Sequence, residues 1–276
     1  MLTVPNKSTA GARKTTVRRW SDGQSITQAD LLACEEPLEI RVRGRNVSVT
    51  MRTPGHDEEL AAGFLFTEGI IRHRCDIVEI AHCDQAEARF GNTINVFLTP
   101  KVKVDFDRLT RHIFASSSCG LCGKATIDAI QRQFPPIKST LHIRARTMEL
   151  LPDKLRAKQK TFTQTGGLHA AAIFNSKGKL LVLREDVGRH NAVDKVIGHE
   201  FLKDHLPLDR HILLVSGRAS FEILQKALAA QIPVVAAVSA PSSLAVDFAR
   251  EGGQTLIGFL RGNSMNVYTH TDRITD

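Results

Sequence analysis

The stretch HILLVSGRASFEILQKALAAQIPVVAAVSAPSSLAVDFAREGGQTLIGF, residues 211–259, decides the fold. His211–Val215, Pro233–Val238 and Thr255–Phe259 are short, unbroken apolar runs, and the segments between them, Ala219–Ala230 and Ser242–Glu251, carry helical periodicity. Short continuous strands alternating with helices predict a sheet buried on both faces. Upstream, Ala170–Phe174 and Leu180–Leu183 flank the turn Asn175-Ser176-Lys177-Gly178 and read as a hairpin. A helix is predicted before that hairpin, over Met148–Lys160, and another after it, from Gly188 to about His199. The order of helix, hairpin and alternating helix and strand resembles the cytidine deaminase-like fold.

The first half has a different texture. Leu38–Val42 and Val47–Met51 are predicted strands around Arg43-Gly44-Arg45-Asn46, and His56–Ile71 is a predicted helix with an acidic start that suits the dipole. Strands near Ile77–Ile80 and Thr93–Leu98 complete an α+β pattern. The expected organisation is a basic tail over residues 1–22, an α+β domain over 23–137 and a layered α/β domain with a mixed sheet over 138–276.

Composition narrows the function classes. The 276 residues are 42% hydrophobic and 24% charged, as in ordinary globular proteins. No apolar run is long enough to span a bilayer, and no secretory pattern opens the chain, so membrane insertion is not expected. The formal charge is +8, but Lys7, Arg13, Lys14, Arg18 and Arg19 supply five of those charges within the first twenty residues. The body is nearly balanced, and a single Trp and a single Tyr offer little for base stacking. Nucleic acid is therefore not an expected partner.

Reactive sulfur is the strongest chemical signal. Ser116-Ser117-Ser118-Cys119-Gly120-Leu121-Cys122-Gly123-Lys124 puts two thiols in a Ser/Gly loop before a helical pattern marked by Ile127, Ile130 and Phe134. A free thiol titrates near about 8.5, and a helix N-terminus brings it down to roughly 3.5–7.5. A structural zinc site would need four ligands, and Cys34, Cys75 and Cys83 have no CxxC partner, although His73 and His82 lie near two of them. No zinc is expected. A thioredoxin-like pair would follow a core strand directly, whereas Leu109–Ser118 reads as a short polar helix or loop.

A second constellation gathers at predicted helix starts. A zinc deaminase carries an H/C-x-E motif and a P-C-x-x-C motif at two such starts. Here they read Gly188-Arg189-His190-Asn191-Ala192 and Ser216-Gly217-Arg218-Ala219-Ser220, so both cysteines and the glutamate are missing. Arg189, His190, Ser216, Arg218 and Ser220, with Ser239 and Ser242-Ser243, suit instead an anionic, phosphate-bearing ligand. Any one of these serines also serves simply as a helix cap. Asp186 and Asp194 are candidates to orient His190 or Arg189, and equally for caps and surface charges. Thr165-Gly166-Gly167-Leu168-His169 precedes a strand as a candidate bend. The loop Phe259-Leu260-Arg261-Gly262-Asn263-Ser264 follows a core strand, where ligand crevices of open α/β sheets form.

These motifs resemble one family. Thr53-Pro54-Gly55, Glu58-Glu59-Leu60, Gly63-Phe64-Leu65, Cys119-Gly120-Leu121-Cys122-Gly123 and Gly166-Gly167-Leu168-His169-Ala170-Ala171 are similar to the formate dehydrogenase accessory sulfurtransferases, the FdhD family. Arg184-Glu185-Asp186-Val187-Gly188-Arg189-His190-Asn191-Ala192, Val215-Ser216-Gly217-Arg218, Ser239-Ala240-Pro241-Ser242-Ser243 and Gly258-Phe259-Leu260-Arg261 extend the likeness over roughly residues 17–270. The odd cysteine count without a secretory signal suggests a reducing compartment, and a cytoplasmic location is expected. The resemblance implies a homodimeric sulfur carrier that takes persulfide sulfur from a cysteine desulfurase. It further implies delivery of that sulfur to the molybdenum bis(molybdopterin guanine dinucleotide) cofactor of a formate dehydrogenase. It maps the persulfide to Cys119, with Cys122 assisting, whereas helix proximity alone favours Cys122. It maps cofactor binding, including a guanine nucleotide, to Phe259–Ser264. A non-catalytic cofactor-binding chaperone and a thiol–disulfide oxidoreductase are the competing readings.

Overall fold

The computed structural model describes residues 11–83, 91–106 and 133–276. Cys119, Cys122 and the helix expected after them lie outside the described residues. Strands β1 (Ala12–Ser21) and β2 (Gln24–Ala33) pair antiparallel from Ala12↔Ala33 to Ser21↔Gln24. Asp22 and Gly23 between them have φ of 52° and 77°, the left-handed pair that a two-residue hairpin turn requires. Residues 12–22 are therefore ribbon and turn, in place of the expected tail. Thr15, Val17 and Trp20 on β1, with Ile26 and Thr27 on β2, carry the β-propensity that the surrounding Arg and Lys residues obscure.

Next come β3 (Glu36–Val42), β4 (Arg45–Arg52), helix α1 (Asp57–Thr67), β5 (Ile77–His82) and β6 (Thr93–Leu98). The four strands form one sheet in the order β4-β3-β6-β5, parallel at its centre and antiparallel outside. Strand β7 (Ile143–Arg144) leads into three short helices, α2 (Ala145–Glu149), α3 (Leu151–Arg156) and α4 (Lys160–Thr165). The sequence predicts one helix over Met148–Lys160. The chain instead restarts at Leu150, with Pro152 in the first turn of α3, because proline suits a helix start and breaks a helix interior.

The remaining elements are β8 (His169–Asn175), β9 (Leu180–Asp186), α5 (Arg189–Leu202), β10 (His211–Val215), α6 (Phe221–Ala229), β11 (Val234–Ala237), α7 (Ser243–Glu251), β12 (Thr255–Arg261) and β13 (Ser264–Val267). They form a six-stranded mixed sheet, β13-β12-β11-β10-β8-β9, in which β10, β11 and β12 run parallel. The final strand, β14 (Ile274–Thr275), pairs with β7. Ala171, Ile173, Leu213, Val215 and Val235 face α5, α6 and α7, while Ala170, Phe174, Ile212 and Leu214 face Met148, Leu151 and Leu155. The sheet is thus buried on both faces, which is why its strands read as continuous apolar runs.

The larger core does not stop at the boundary expected after residue 137. It runs from Leu38, Ile40 and Val96 through Leu60 and Leu65 to Val193, Ile197 and Leu224, and includes Ile137. Helices α1 and α5 cross at Gly63 and Gly198. A Cβ on Gly63 would lie 1.9 Å from the Asp194 carbonyl oxygen, and one on Gly198 would lie 1.9 Å from that of Glu59. Backbone meets backbone there, so neither position accepts a side chain.

Candidate functional site

Buried polar contacts join the two halves beside this crossing. Asp186 at the end of β9 pairs with Lys195 at 2.6 Å, and both side chains are buried. Its carboxylate also accepts from Thr53 N (3.2 Å), Gly188 N (2.8 Å) and Asn191 Nδ2 (3.0 Å). Lys195 Nζ donates to Thr53 O (2.8 Å), and Thr53 Oγ1 accepts from Val187 N (3.1 Å). Asp194 pairs with Lys226 at 2.9 Å and accepts from Thr67 Oγ1 at 2.8 Å. Burial raises the Asp194 pKa, with Lys226 opposing it. Neither aspartate orients His190 or Arg189; both fix the frame on which those residues sit. Nearby, Arg184 grips Glu59 through two hydrogen bonds of 2.5 and 2.6 Å, and His199 Nδ1 lies 2.9 Å from Glu59. Burial alone would raise the Glu59 pKa, but hydrogen bonds from Arg184, His56 and His199 hold it far below the usual carboxylate range.

His190, in the first turn of α5, faces the start of α6. Its Nε2 lies 2.9 Å from Glu222 Oε2 and 3.2 Å from Ser220 Oγ. Ser220 is the N-cap residue of α6, yet its side chain makes no capping bond and donates to Glu222 at 3.3 Å. The hydrogen bond from His190 lowers the Glu222 pKa. Ser242 does cap its helix, accepting from Ala245 N at 3.2 Å. Arg218 is exposed, and Arg189 Nε is buried without a partner among the described residues.

Ser216, Arg261 and Gly262 meet at a separate cleft of about 580 Å³ at the end of the six-stranded sheet. Its other walls are Leu168, His169 and Val238, together with Pro152, Asp153, Leu155, Arg156, Gln159, Phe162 and Gly166-Gly167. Ser216 continues the β8–β10 pairing, its N donating to Ala170 O (2.9 Å) and its Oγ accepting from Ala170 N (2.8 Å). Among the described residues the hydroxyl proton has no acceptor, so it can be donated to a ligand oxygen. Burial first, then the charges of Arg189 and His190, lowers the His169 pKa and favours a neutral imidazole. Arg156 stacks over the Phe162 ring at 4.4 Å from its centroid, giving the cleft a flat wall.

A distortion of β12 aims Arg261 at this cleft. Its register against β13 shifts between Gly258 and Arg261, and Phe259 has φ of 53°. Gly258 lies so close to Pro241 that a Cβ would sit 2.7 Å from its Cδ. Such a bulge re-aims the side chains that follow it. Arg261 lies over the Phe259 ring at 5.8 Å, and Ser264 Oγ donates to Arg261 O at 3.2 Å. The segment 259–264 is a bulged hairpin, and Asn263 is exposed at its turn. Leu260, expected among the ligand-binding residues, has its side chain fully buried in the core and offers only backbone. The structure thus joins Ser216 with Arg261 and Gly262, while His190 and Arg218 are not among the residues lining that cleft. Sequence reading missed Asp153, Arg156, Gln159 and Phe162; Pro152 and Gly166-Gly167, which bracket them, were the available signal. Among the described residues, no cluster of three or more His, Cys, Asp or Glu side chains is placed to hold a metal ion, and no helix is long and apolar enough to cross a membrane.

The chain matches the FdhD/NarQ family over residues 33–275. It is 53% identical over 267 residues to the sulfur carrier protein FdhD of Mycobacterium tuberculosis, covering 94% of this chain and 97% of that protein. Identity to the sulfur carrier protein FdhD of Streptomyces coelicolor is 54% over 265 residues, with 94% of each chain covered. A crystal structure of a Desulfotalea psychrophila protein, described as a formate dehydrogenase accessory protein, superposes with a TM-score of 0.76 at 25% identity, covering 96% of this chain and all of that one. With a family pattern running through the four- and six-stranded sheets and near-full-length relatives identical at more than half of the aligned positions, the chain belongs to the FdhD/NarQ family.

Proposed function

We propose that this protein is a sulfur carrier serving the maturation of a formate dehydrogenase. One observation carries the reading: near-full-length relatives named sulfur carrier protein are more than half identical to a chain that holds the pair Cys119-Gly120-Leu121-Cys122. In this reading the Cys119 thiolate attacks the outer sulfur of a cysteine desulfurase persulfide. The donor S–S bond breaks, the donor cysteine leaves as a thiolate, and Cys119 holds the sulfane sulfur. Cys122 then attacks the inner sulfur, forming a Cys119–Cys122 disulfide and releasing the outer sulfur as sulfide. The two thiols are oxidised as that sulfur is reduced, so electrons balance.

The acceptor substrate is the molybdenum bis(molybdopterin guanine dinucleotide) cofactor. The cleft supports this part of the reading: Arg261 offers a cation, Ser216 a hydroxyl donor, and the Arg156–Phe162 stack a platform for a purine. Its volume of about 580 Å³ lies within the range of small-ligand clefts. His190, Ser220 and Arg218 lie along the neighbouring helix starts, where a second anionic group of the same ligand would be received. A homodimer, a cytoplasmic location and a cytidine deaminase-like character for the six-stranded layer belong to the same proposal. The mixed strand order and flanking helices favour that last point.

The test is mass spectrometry after incubation with a cysteine desulfurase and cysteine. One added sulfur atom on the peptide carrying Cys119, removable by reductant, supports the carrier. Cofactor binding with no added sulfur supports a chaperone instead. Maturation of formate dehydrogenase by the Cys119→Ala, Cys122→Ala variant would remove the proposed chemistry.

A further inference from the structure

Among the described residues, β1 and β2 form a sheet of their own, ten residues per strand and paired along their whole length. Among the described residues, the ribbon meets the body near its base, where β2 packs against α4. Gly11 there approaches Thr53 and Thr161, and Gly167 approaches Ala33. Further out, Trp20 is 65% exposed and Ile26 59%. A lone two-stranded ribbon is marginal in water, and independent stability takes three or more strands or a packed partner.

The two edges of the ribbon differ. β1 carries Arg13, Lys14, Arg18 and Arg19, the kind of charge that guards an open edge. β2, Gln24-Ser25-Ile26-Thr27-Gln28-Ala29-Asp30-Leu31-Leu32-Ala33, carries one charge and neither Lys nor Pro. The two-residue turn makes Ser21↔Gln24 the first hydrogen-bonded pair, and alternate pairs follow. Cys34 N donating to Gly11 O at 2.8 Å continues that alternation. The backbone N–H and C=O groups of Ser25, Thr27, Ala29 and Leu31 therefore point away from β1.

We infer that the outer edge of β2 pairs with the same edge of a second copy of this chain, giving a four-stranded sheet β1-β2-β2-β1 across a twofold axis, an assignment that rests on the homodimer of the proposed function. Charge selects both the edge and the occupant. Pairing through β1 would set the four cations of each copy on strands about 4.8 Å apart. Pairing through β2 holds the basic strands about 14 Å apart, beyond a Debye length of about 8 Å at physiological salt. An acidic partner or a nucleic acid would be drawn to β1, whereas the near-neutral β2 edge complements itself.

Sedimentation equilibrium of the full chain over a concentration series tests this, with wild type, Thr27→Pro, Ala29→Lys and Thr16→Pro compared. Thr27→Pro removes an outward N–H from β2 and leaves the β1–β2 ladder intact, while Thr16→Pro does the same on the β1 edge. The expected result is a wild-type dimer, a dimer dissociation constant raised roughly tenfold or more by Thr27→Pro and by Ala29→Lys, and no change with Thr16→Pro. If Thr27→Pro does not fold, Ala29→Lys, which removes no backbone donor, decides alone. A dimeric wild type with unchanged β2 variants overturns the edge assignment and leaves the homodimer standing. A wild type that is monomeric at every concentration overturns both, and sulfur loading of Cys119 is read independently of either outcome.

Discussion

Replacing Gly63 by alanine sets two effects of opposite sign against each other. Inside an exposed helix the exchange stabilises by about 1 kcal/mol through propensity. At this crossing the new Cβ lies 1.9 Å from Asp194 O, 2.7 Å from its carbonyl carbon and 3.0 Å from Gly198 N. A carbon reaches a carbonyl oxygen comfortably at about 3.3 Å, so α1 and α5 must separate by roughly 1.4 Å. No side-chain rotamer relieves a clash with backbone. Overpacking of this kind costs about 3 kcal/mol, which leaves a net loss near 2 kcal/mol. At about 2–4 °C per kcal/mol for domains of 150–250 residues, the melting temperature falls by roughly 4–8 °C. Gly198→Ala meets Glu59 O at the same 1.9 Å and has the same expected effect. Once either helix has moved, the second methyl costs less, so the double variant loses less than the sum of the singles. Scanning calorimetry on the four proteins checks this. A single variant melting at or above wild type would refute the close crossing, and full additivity would refute the shared displacement.

Lys195→Met leaves the Asp186 carboxylate buried without its counterion, and urea unfolding should register a loss of about 3–5 kcal/mol. Glu59→Gln should be destabilising at neutral pH. The folded-state pKa of Glu59 is depressed, so its contribution is present above the ordinary value of 4.5 and declines as pH falls below it. The difference between wild type and Glu59→Gln, measured by urea unfolding from pH 7 to pH 3, should therefore narrow only below about 4.5. Arg261→Ala should weaken guanosine diphosphate binding by roughly 10- to 100-fold, the range of one charge-assisted hydrogen bond, in a calorimetric titration. Unchanged affinity would place the nucleotide elsewhere.

Much of the fold was legible because burial leaves a plain mark on sequence. His211–Val215 and Thr93–Leu98 appear as strands with the bounds read from their apolar runs, since a strand packed on its core faces has little freedom in composition. The ribbon was not legible: its exposed faces lack the alternation that a buried face imposes, and its cations suggested a tail. Met148–Lys160 looked like one helix because apolar spacing continues through Pro152, while the backbone consequence of that proline is local. At the site, Ser216 and Arg261 share one cleft because both follow strand C-termini of the open sheet, whereas the sequence groups Ser216 with His190 and Arg218 at helix starts and leaves Arg261 in a separate loop. Arg156 and Phe162 were missed because only tertiary packing carries their short helices to that edge. Leu260 was misread for want of a register: within β12 it belongs to the core face, a period-two fact that the bulge at Phe259 conceals.

The Gly63–Gly198 crossing also sets a timetable for synthesis. Helix α1 leaves the ribosome before the surface it covers exists, since its partner glycine lies far downstream in the chain. At roughly 5–20 residues per second, the intervening stretch of about 135 residues takes on the order of 7–27 s to translate. Through that interval Leu60, Leu65 and Phe66, all buried in the finished protein, have no α5 to pack against. The nascent chain is then a client for holding factors that bind exposed apolar segments, and slowed translation between the two glycines lengthens its exposure to aggregation.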